Sequence, residues 1–189
     1  VYFCSNCELG MLSNAPAESD LKKFYAEEYR KKTTLTSQAK PDKLFQIFTP
    51  LQENRLKILK PYFTKKTKLL EVGCSAGMFL SQAKKYVGDI VGLDFDLASA
   101  KYASKKCHCP VYTTEINETP LNPNYFDIIV AFQTLEHVSN PHNFIAILKK
   151  YLKSGGIMAI EVPNLYDALA YVYNLPTHYK FFFHAAHLW

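Results

Sequence analysis

The run Glu71-Val72-Gly73-Cys74-Ser75-Ala76-Gly77 places an acidic side chain two residues before a pair of glycines spaced four apart. Such a run lets the backbone turn sharply, approach a ligand closely and present the free N–H groups of a following helix. A dinucleotide fingerprint, G-x-G-x-x-G, needs its middle glycine to make room for a pyrophosphate. That position is Ser75 here, the sixth is Met78, and Glu71 would repel a phosphate. The expected ligand therefore carries positive charge, an ammonium and a sulfonium, rather than phosphate. Some 20 residues on, Val91-Gly92-Leu93-Asp94 puts a carboxylate where it can accept both hydroxyls of a ribose, with Phe95 beside it to flank an adenine.

These residues need a scaffold that delivers them to one edge. From residue 67 onward, short apolar runs alternate with helical stretches. Strands are predicted over 68–72, 90–93, 111–113, 126–132 and 157–162. Helices are predicted over 77–86, 97–105 (capped by Asp96) and from Asn140-Pro141 to about 152, closed by Ser154-Gly155-Gly156. The nearly continuous apolar run 126–132 reads as a strand buried on both faces. The fold class is α/β, a doubly wound, Rossmann-like parallel sheet at residues 67–164. Ahead of it, residues 1–15 read as a Cys-rich knuckle and 16–66 as a helical segment. That segment has a helix over 18–32, a polar linker over 31–43, and a helix over 49–60 opened by a Thr49–Gln52 capping box with Pro50 in its first turn. Residues 165–189 begin a substrate-side region, with a helix expected over 166–175.

With these motifs in hand, the chain resembles the class I S-adenosylmethionine (SAM)-dependent methyltransferases. Leu69–Gly77 is similar to their motif I and Val91–Asp94 to their second. Phe126–Val130 with Leu135-Glu136-His137-Val138 is similar to their fourth, and Leu152–Gly156 with Ile160–Asn164 to the stretch after it. The four lie in register across residues 67–164. The resemblance implies strand order 3-2-1-4-5 and SAM as cofactor. It implies that Gly73, Cys74, Ser75, Ala76 and Gly77 cradle the methionine part and that Glu71 faces its amino group. Asp94 would hold the ribose, Phe95 would pack on the adenine, Glu115 and Ile116 would meet the adenine edge, and Phe132 and Gln133 would border the methyl donor. Seven strands are usual in this class. Five are readable, so the last two, which help wall the substrate pocket, are expected to be missing from a chain that reads as cut at both ends.

The sequence also resembles a narrower group, methyltransferases acting on sugars or sugar nucleotides, with a zinc-binding front end. Cys4 and Cys7 match half of that front end. Four thiolates are wanted for structural zinc, so a zinc site is expected only with an upstream Cys pair. Cys107-His108-Cys109 is an alternative source of ligands. His187, in His184-Ala185-Ala186-His187-Leu188-Trp189, matches the catalytic His of the group, with Ala186 where Glu is common. His137 is the rival base, and His142 reads as solvated. An imidazole titrating near neutrality suits the removal of a hydroxyl proton.

The net charge is +5, but residues 1–68 hold 13 basic and 7 acidic side chains and the remainder 9 and 10. The basic front reads as a solvated helix surface, without the aromatic interleaving of a single-strand binding face. The nucleic-acid methyltransferases often show Asn/Asp-Pro-Pro-Tyr/Phe after the fourth strand, where this chain has Gln133-Thr134-Leu135-Glu136. No apolar run reaches the roughly 20 residues of a membrane span. Five cysteines without a secretory pattern point to reduced thiols and a cytoplasmic setting. The function expected is methyl transfer from SAM to a small molecule, a sugar or glycan precursor. A nucleotide-dependent oxidoreductase and a non-catalytic or nucleic-acid-directed domain of the same fold are the alternatives.

Overall fold

Five parallel strands make the frame. The computed structural model describes residues 2–6, 9–11, 40–164, 167–168, 172–173, 175 and 187–188. In chain order the elements are β1 (Tyr2–Phe3), β2 (Gly10–Met11), α1 (Pro41–Phe48), α2 (Glu53–Leu59), β3 (Lys68–Val72), α3 (Met78–Ala83) and β4 (Asp89–Leu93). There follow α4 (Leu97–Cys107), β5 (Val111–Tyr112), β6 (Phe126–Phe132), α5 (Pro141–Tyr151) and β7 (Leu152–Glu161). The sheet runs β5-β4-β3-β6-β7, which is the expected 3-2-1-4-5 order. All its pairings are parallel. β6 lies between β3 and β7 and is buried along almost its whole length, which is why its sequence shows no alternation.

The two sheet faces carry separate cores. Leu69, Cys74, Phe79, Leu80, Ile90, Ile128 and Val130 pack on the α3 side. Leu70, Val91, Leu93, Ile129, Leu148 and Tyr151 pack on the α5 side. α4 is capped as expected, with the Ser99 N–H donating to Asp96 Oδ2 at 2.9 Å. α5 is capped by Asn140, whose Oδ1 accepts from the Asn143 N–H at 2.9 Å.

Two expectations need correction. The region around Thr49 is not a helix start. α1 already begins at Pro41, inside the expected linker, with Pro at its first turn and Asp42 beside it. Thr49 is itself helical, and its hydroxyl donates to the Phe45 carbonyl one turn back instead of capping. A short 3-10 turn over Pro50–Gln52 then leads into α2. Likewise Ser154-Gly155-Gly156 does not close α5. That helix stops at Tyr151, and the glycines lie within β7 as an irregularity, with Phe126 paired to Leu152 and Ile128 to Ile157. Gly155 takes φ +75 there with open space around it.

At the N-terminal end β1 and β2 form an antiparallel hairpin in which the Cys4 N–H donates to the Leu9 carbonyl at 2.9 Å. Cys7, the helix expected over 18–32 and half of that over 166–175 lie outside the described residues. No helix among the described residues is long and apolar enough to cross a membrane.

Gly92 shows how closely the motifs interlock. A Cβ there would sit 2.7 Å from Cys74 Sγ and 3.0 Å from Leu80 Cδ1. Gly92→Ala is therefore expected to lower the unfolding free energy by about 1–3 kcal/mol through overpacking, read as a shifted urea midpoint with unchanged slope.

Candidate active site

The carboxyl ends of β3, β4 and β6 open onto a cavity of about 500 Å³. Its floor is the turn after β3. Gly73 takes φ +75 and Gly77 φ +80, and Ser75 between them takes φ 46, the left-handed region that non-glycine residues seldom enter. A Cβ on Gly73 would fall 2.2 Å from Thr134 Oγ1, and one on Gly77 would fall 2.9 Å from both Ala103 Cβ and Cys107 Sγ. The turn is pinned to its neighbours: the Gly73 and Cys74 N–H groups donate to the Leu93 carbonyl at 2.8 and 3.0 Å. The Ser75 N–H donates to Asp94 Oδ2 at 2.7 Å, while Asp94 Oδ1 accepts from the Asp96 N–H at 2.9 Å.

Of the residues expected to hold a cofactor, Gly73, Ser75, Asp94, Phe95, Glu115, Ile116 and Gln133 line this cavity. Phe95 stands 44% exposed on its rim. Glu71, Cys74, Ala76, Gly77 and Phe132 lie behind the wall. Glu71 is buried with Oε2 lacking any hydrogen-bond partner, and burial pushes its carboxyl well above the usual range against the pull of Arg55. Burial also raises the Cys74 thiol, so it is no nucleophile. Phe132 packs edge-on against Phe79. Thr134, which also lines the cavity, was not foreseen. It bonds through Oγ1 to the Val72 and Phe132 carbonyls at 3.2 and 3.1 Å, and its only sequence signal was its place just past a buried strand. The charged groups of the wall are Asp94, Asp96, Glu115 and Glu118; no Lys or Arg among the described residues lines it.

Behind Phe132 an ion pair joins α2 to the sheet. The Arg55 guanidinium lies 4.5 Å from the Phe132 ring centroid. It donates through Nε to Glu161 Oε2 at 2.9 Å and through Nη2 to Oε1. Glu161 in turn receives the Gln133 side chain at 3.1 Å, and its carbonyl accepts the Gln133 N–H at 2.8 Å. This holds Gln133 at φ 50. The hydrogen bond from Arg55 keeps the Glu161 carboxyl below its usual range.

The two rival bases are brought together. His137 and His187 meet edge to face with centroids 4.8 Å apart. A carboxylate stands beside them: Glu136 Oε1 lies 4.0 Å from His137 Nε2. Glu136 was not singled out in advance; it is 1% exposed, and burial pushes its carboxyl up to about 7. The Leu188 N–H donates to the Glu136 carbonyl at 2.7 Å and fixes the distant segment to this spot. His142 is exposed, as expected. Cys4, Cys107 and Cys109 join no group of three metal-ligating side chains among the described residues.

Residues 70–160 match the family model of the methyltransferase domain. Over 101 residues the chain is 27% identical to a ubiquinone biosynthesis O-methyltransferase of Rhodopseudomonas palustris, covering 51% of this chain and 40% of that one. It is 32% identical over 108 residues to the enzyme of the same name from Haemophilus ducreyi, covering 51% and 45%. The chain thus spans less than half the length of these curated relatives. Among solved structures, a SAM-dependent methyltransferase from Archaeoglobus fulgidus superposes with TM-score 0.57 at 24% identity, covering 72% of this chain and 63% of that one.

Because the Glu161 carboxyl titrates below its unfolded value, its stabilising share is complete above the ordinary carboxylate range and is lost as the pH falls through the folded value. Glu161→Gln should therefore flatten the fall of melting temperature between roughly pH 5 and pH 3. Parallel thermal melts of the two proteins check this.

Proposed function

We propose that this chain, whose residues 70–160 match the methyltransferase-domain family model, is a class I SAM-dependent methyltransferase that transfers the SAM methyl group to a hydroxyl of a small molecule, a sugar or sugar nucleotide. The observation that carries the reading is the cavity wall. It joins a glycine turn to four carboxylates and, among the described residues, presents no Lys or Arg, which suits a sulfonium and an ammonium and opposes a pyrophosphate. Two further features fit the cofactor: the cradle at Gly73 that a Cβ would fill and the orphaned Glu71 oxygen behind it.

In this reading Gly73 and Ser75 hold the methionine part, with Cys74, Ala76 and Gly77 shaping the turn from behind, and Glu71 faces its amino group as a buried hydrogen-bonding partner. Asp94 takes the ribose hydroxyls, Phe95 covers the adenine from its exposed position on the rim, and Glu115 and Ile116 meet the adenine edge. When bound, SAM supplies a methyl carbon activated by its sulfonium, whose sulfur is left as a neutral thioether. The chain's own work is alignment, exclusion of water and charge. Gln133, on the strained residue after β6, separates the donor from the acceptor side. The proton of the acceptor hydroxyl passes to the Glu136–His137–His187 cluster. The sugar class of acceptor rests on the sequence match of His187 and of the Cys4 hairpin. In a longer protein Cys4 and Cys7 would contribute two thiolates to structural zinc.

Isothermal calorimetry with SAM and with NADH tests the reading. SAM binding and NADH not is expected, and the reverse would overturn it. Asp94→Asn should weaken SAM about 10–100-fold, the weight of hydrogen bonds to a charged group, while leaving the far-ultraviolet circular dichroism unchanged.

A further inference from the structure

We infer that Glu136, His137 and His187 form a binding site for one divalent transition-metal ion at the acceptor edge of the cavity. One ligand atom from each residue lies within 4.8 Å of the others. A tetrahedral ion with ligands about 2.0–2.2 Å away needs a closer set, which inward rotation of these side chains by on the order of 1 Å provides.

The carboxylate is the strongest argument. Glu136 is 1% exposed, and neither of its carboxylate oxygens has a hydrogen-bond partner. An unsatisfied buried carboxylate is costly, and buried charges are as a rule paired or bound to metal. The nearest cationic candidate within the cluster, His137 Nε2, stands 4.0 Å from Oε1, beyond hydrogen-bonding reach. The two imidazoles are held against one another by structure and not by chance of exposure. Leu188 is buried at 1%, and its N–H bond to the Glu136 carbonyl sets His187 opposite His137.

Two imidazoles and one carboxylate, from residues 136, 137 and 187, are the donor set of catalytic zinc and of related first-row ions that keep a position open. His137 lines the cavity, so the open position faces it. An ion there would replace the bare cluster as the activating group: it would bind the acceptor oxygen and lower the pKa of its hydroxyl, whose proton would pass to water and not to the ligating side chains. This deepens the methyl-transfer reading, on which it rests for the ion's role but not for its binding. It also selects acceptors that present a hydroxyl oxygen.

The test is titration of the metal-free chain with Co²⁺, followed by visible and near-ultraviolet absorption. The expected result is one equivalent bound with ligand-field bands and no sulfur-to-metal charge transfer, which separates this site from the cysteines. Glu136→Gln and His187→Ala should each cost more than the ~10–100-fold that losing an outer-shell partner costs. Both should keep the melting transition and the calorimetric SAM affinity. Absence of Co²⁺ binding, binding with thiolate bands only, or a spectrum unaltered in both folded variants would overturn the site. If Co²⁺ binds as described and SAM does not, the site stands and the methyl-transfer reading falls.

Discussion

The carboxyl ends of three strands are tied together at Gly73, and the cavity exists because nothing can grow from its α-carbon. Its N–H bonds to the Leu93 carbonyl at the end of β4. The space where its Cβ would stand is taken by Thr134 Oγ1, which bonds to the last carbonyls of β3 and β6. One residue in a left-handed conformation thus joins β4 to β3, and β3 to β6 through a neighbour's hydroxyl. The strain that follows is concentrated nearby. Ser75 and Gln133 both hold φ near +50, on opposite sides of Gly73, and each is secured by hydrogen bonds to a carboxylate-bearing residue, Asp94 for one and Glu161 for the other. A cost of order 1 kcal/mol per such residue persists only where the surroundings over-determine it.

Carboxylates do different jobs according to what they meet. Asp94 and Glu161 accept strong hydrogen bonds that fix the loops beside them. Glu71 and Glu136 are buried with oxygens that find no partner, and burial raises both above the ordinary range. Satisfied groups hold the loops; unsatisfied ones lie against the regions where a ligand's charge would come. Among the described residues, Arg55 is the cation that packs behind the cavity. It is consumed by Glu161 and Gln52 and by the face of Phe132, so it closes the back of the site without adding positive charge to its wall.

The strands could be read from the sequence because burial on both faces leaves continuous apolar runs; their order was implied by the resemblance of the motifs to the methyltransferase class, and the sheet has that order. The helical ends were harder. Thr49 and Gln52 have the composition of a capping box, yet the Thr hydroxyl can also bond back four residues, and with Pro41 starting a helix upstream that is the geometry it takes. Gly155 and Gly156 look like a helix terminus, but Leu152 already pairs with Phe126, and a glycine pair serves equally well as a strand irregularity. The cavity-lining residues Gly73, Ser75 and Asp94 were legible because they belong to short contiguous motifs. Glu136 was overlooked, although it sits beside His137 in sequence, because its significance depends on a segment fifty residues away.

That separation shapes what the acceptor side can do. Residues 136 and 137 are delivered by the short turn after β6, and so are positioned by the same strand that ends in Gln133 and Thr134. His187 arrives from a distant segment and is held through its neighbour Leu188, whose N–H donates to the Glu136 carbonyl, not by a strand of the sheet. Thr134, which fills the space beside Gly73, lies three residues from His137, and His187 is brought to that side through Leu188. The two halves of the proposed transfer therefore meet across Thr134–His137, and whatever reorganises Leu188 changes the acceptor side while leaving the glycine turn intact.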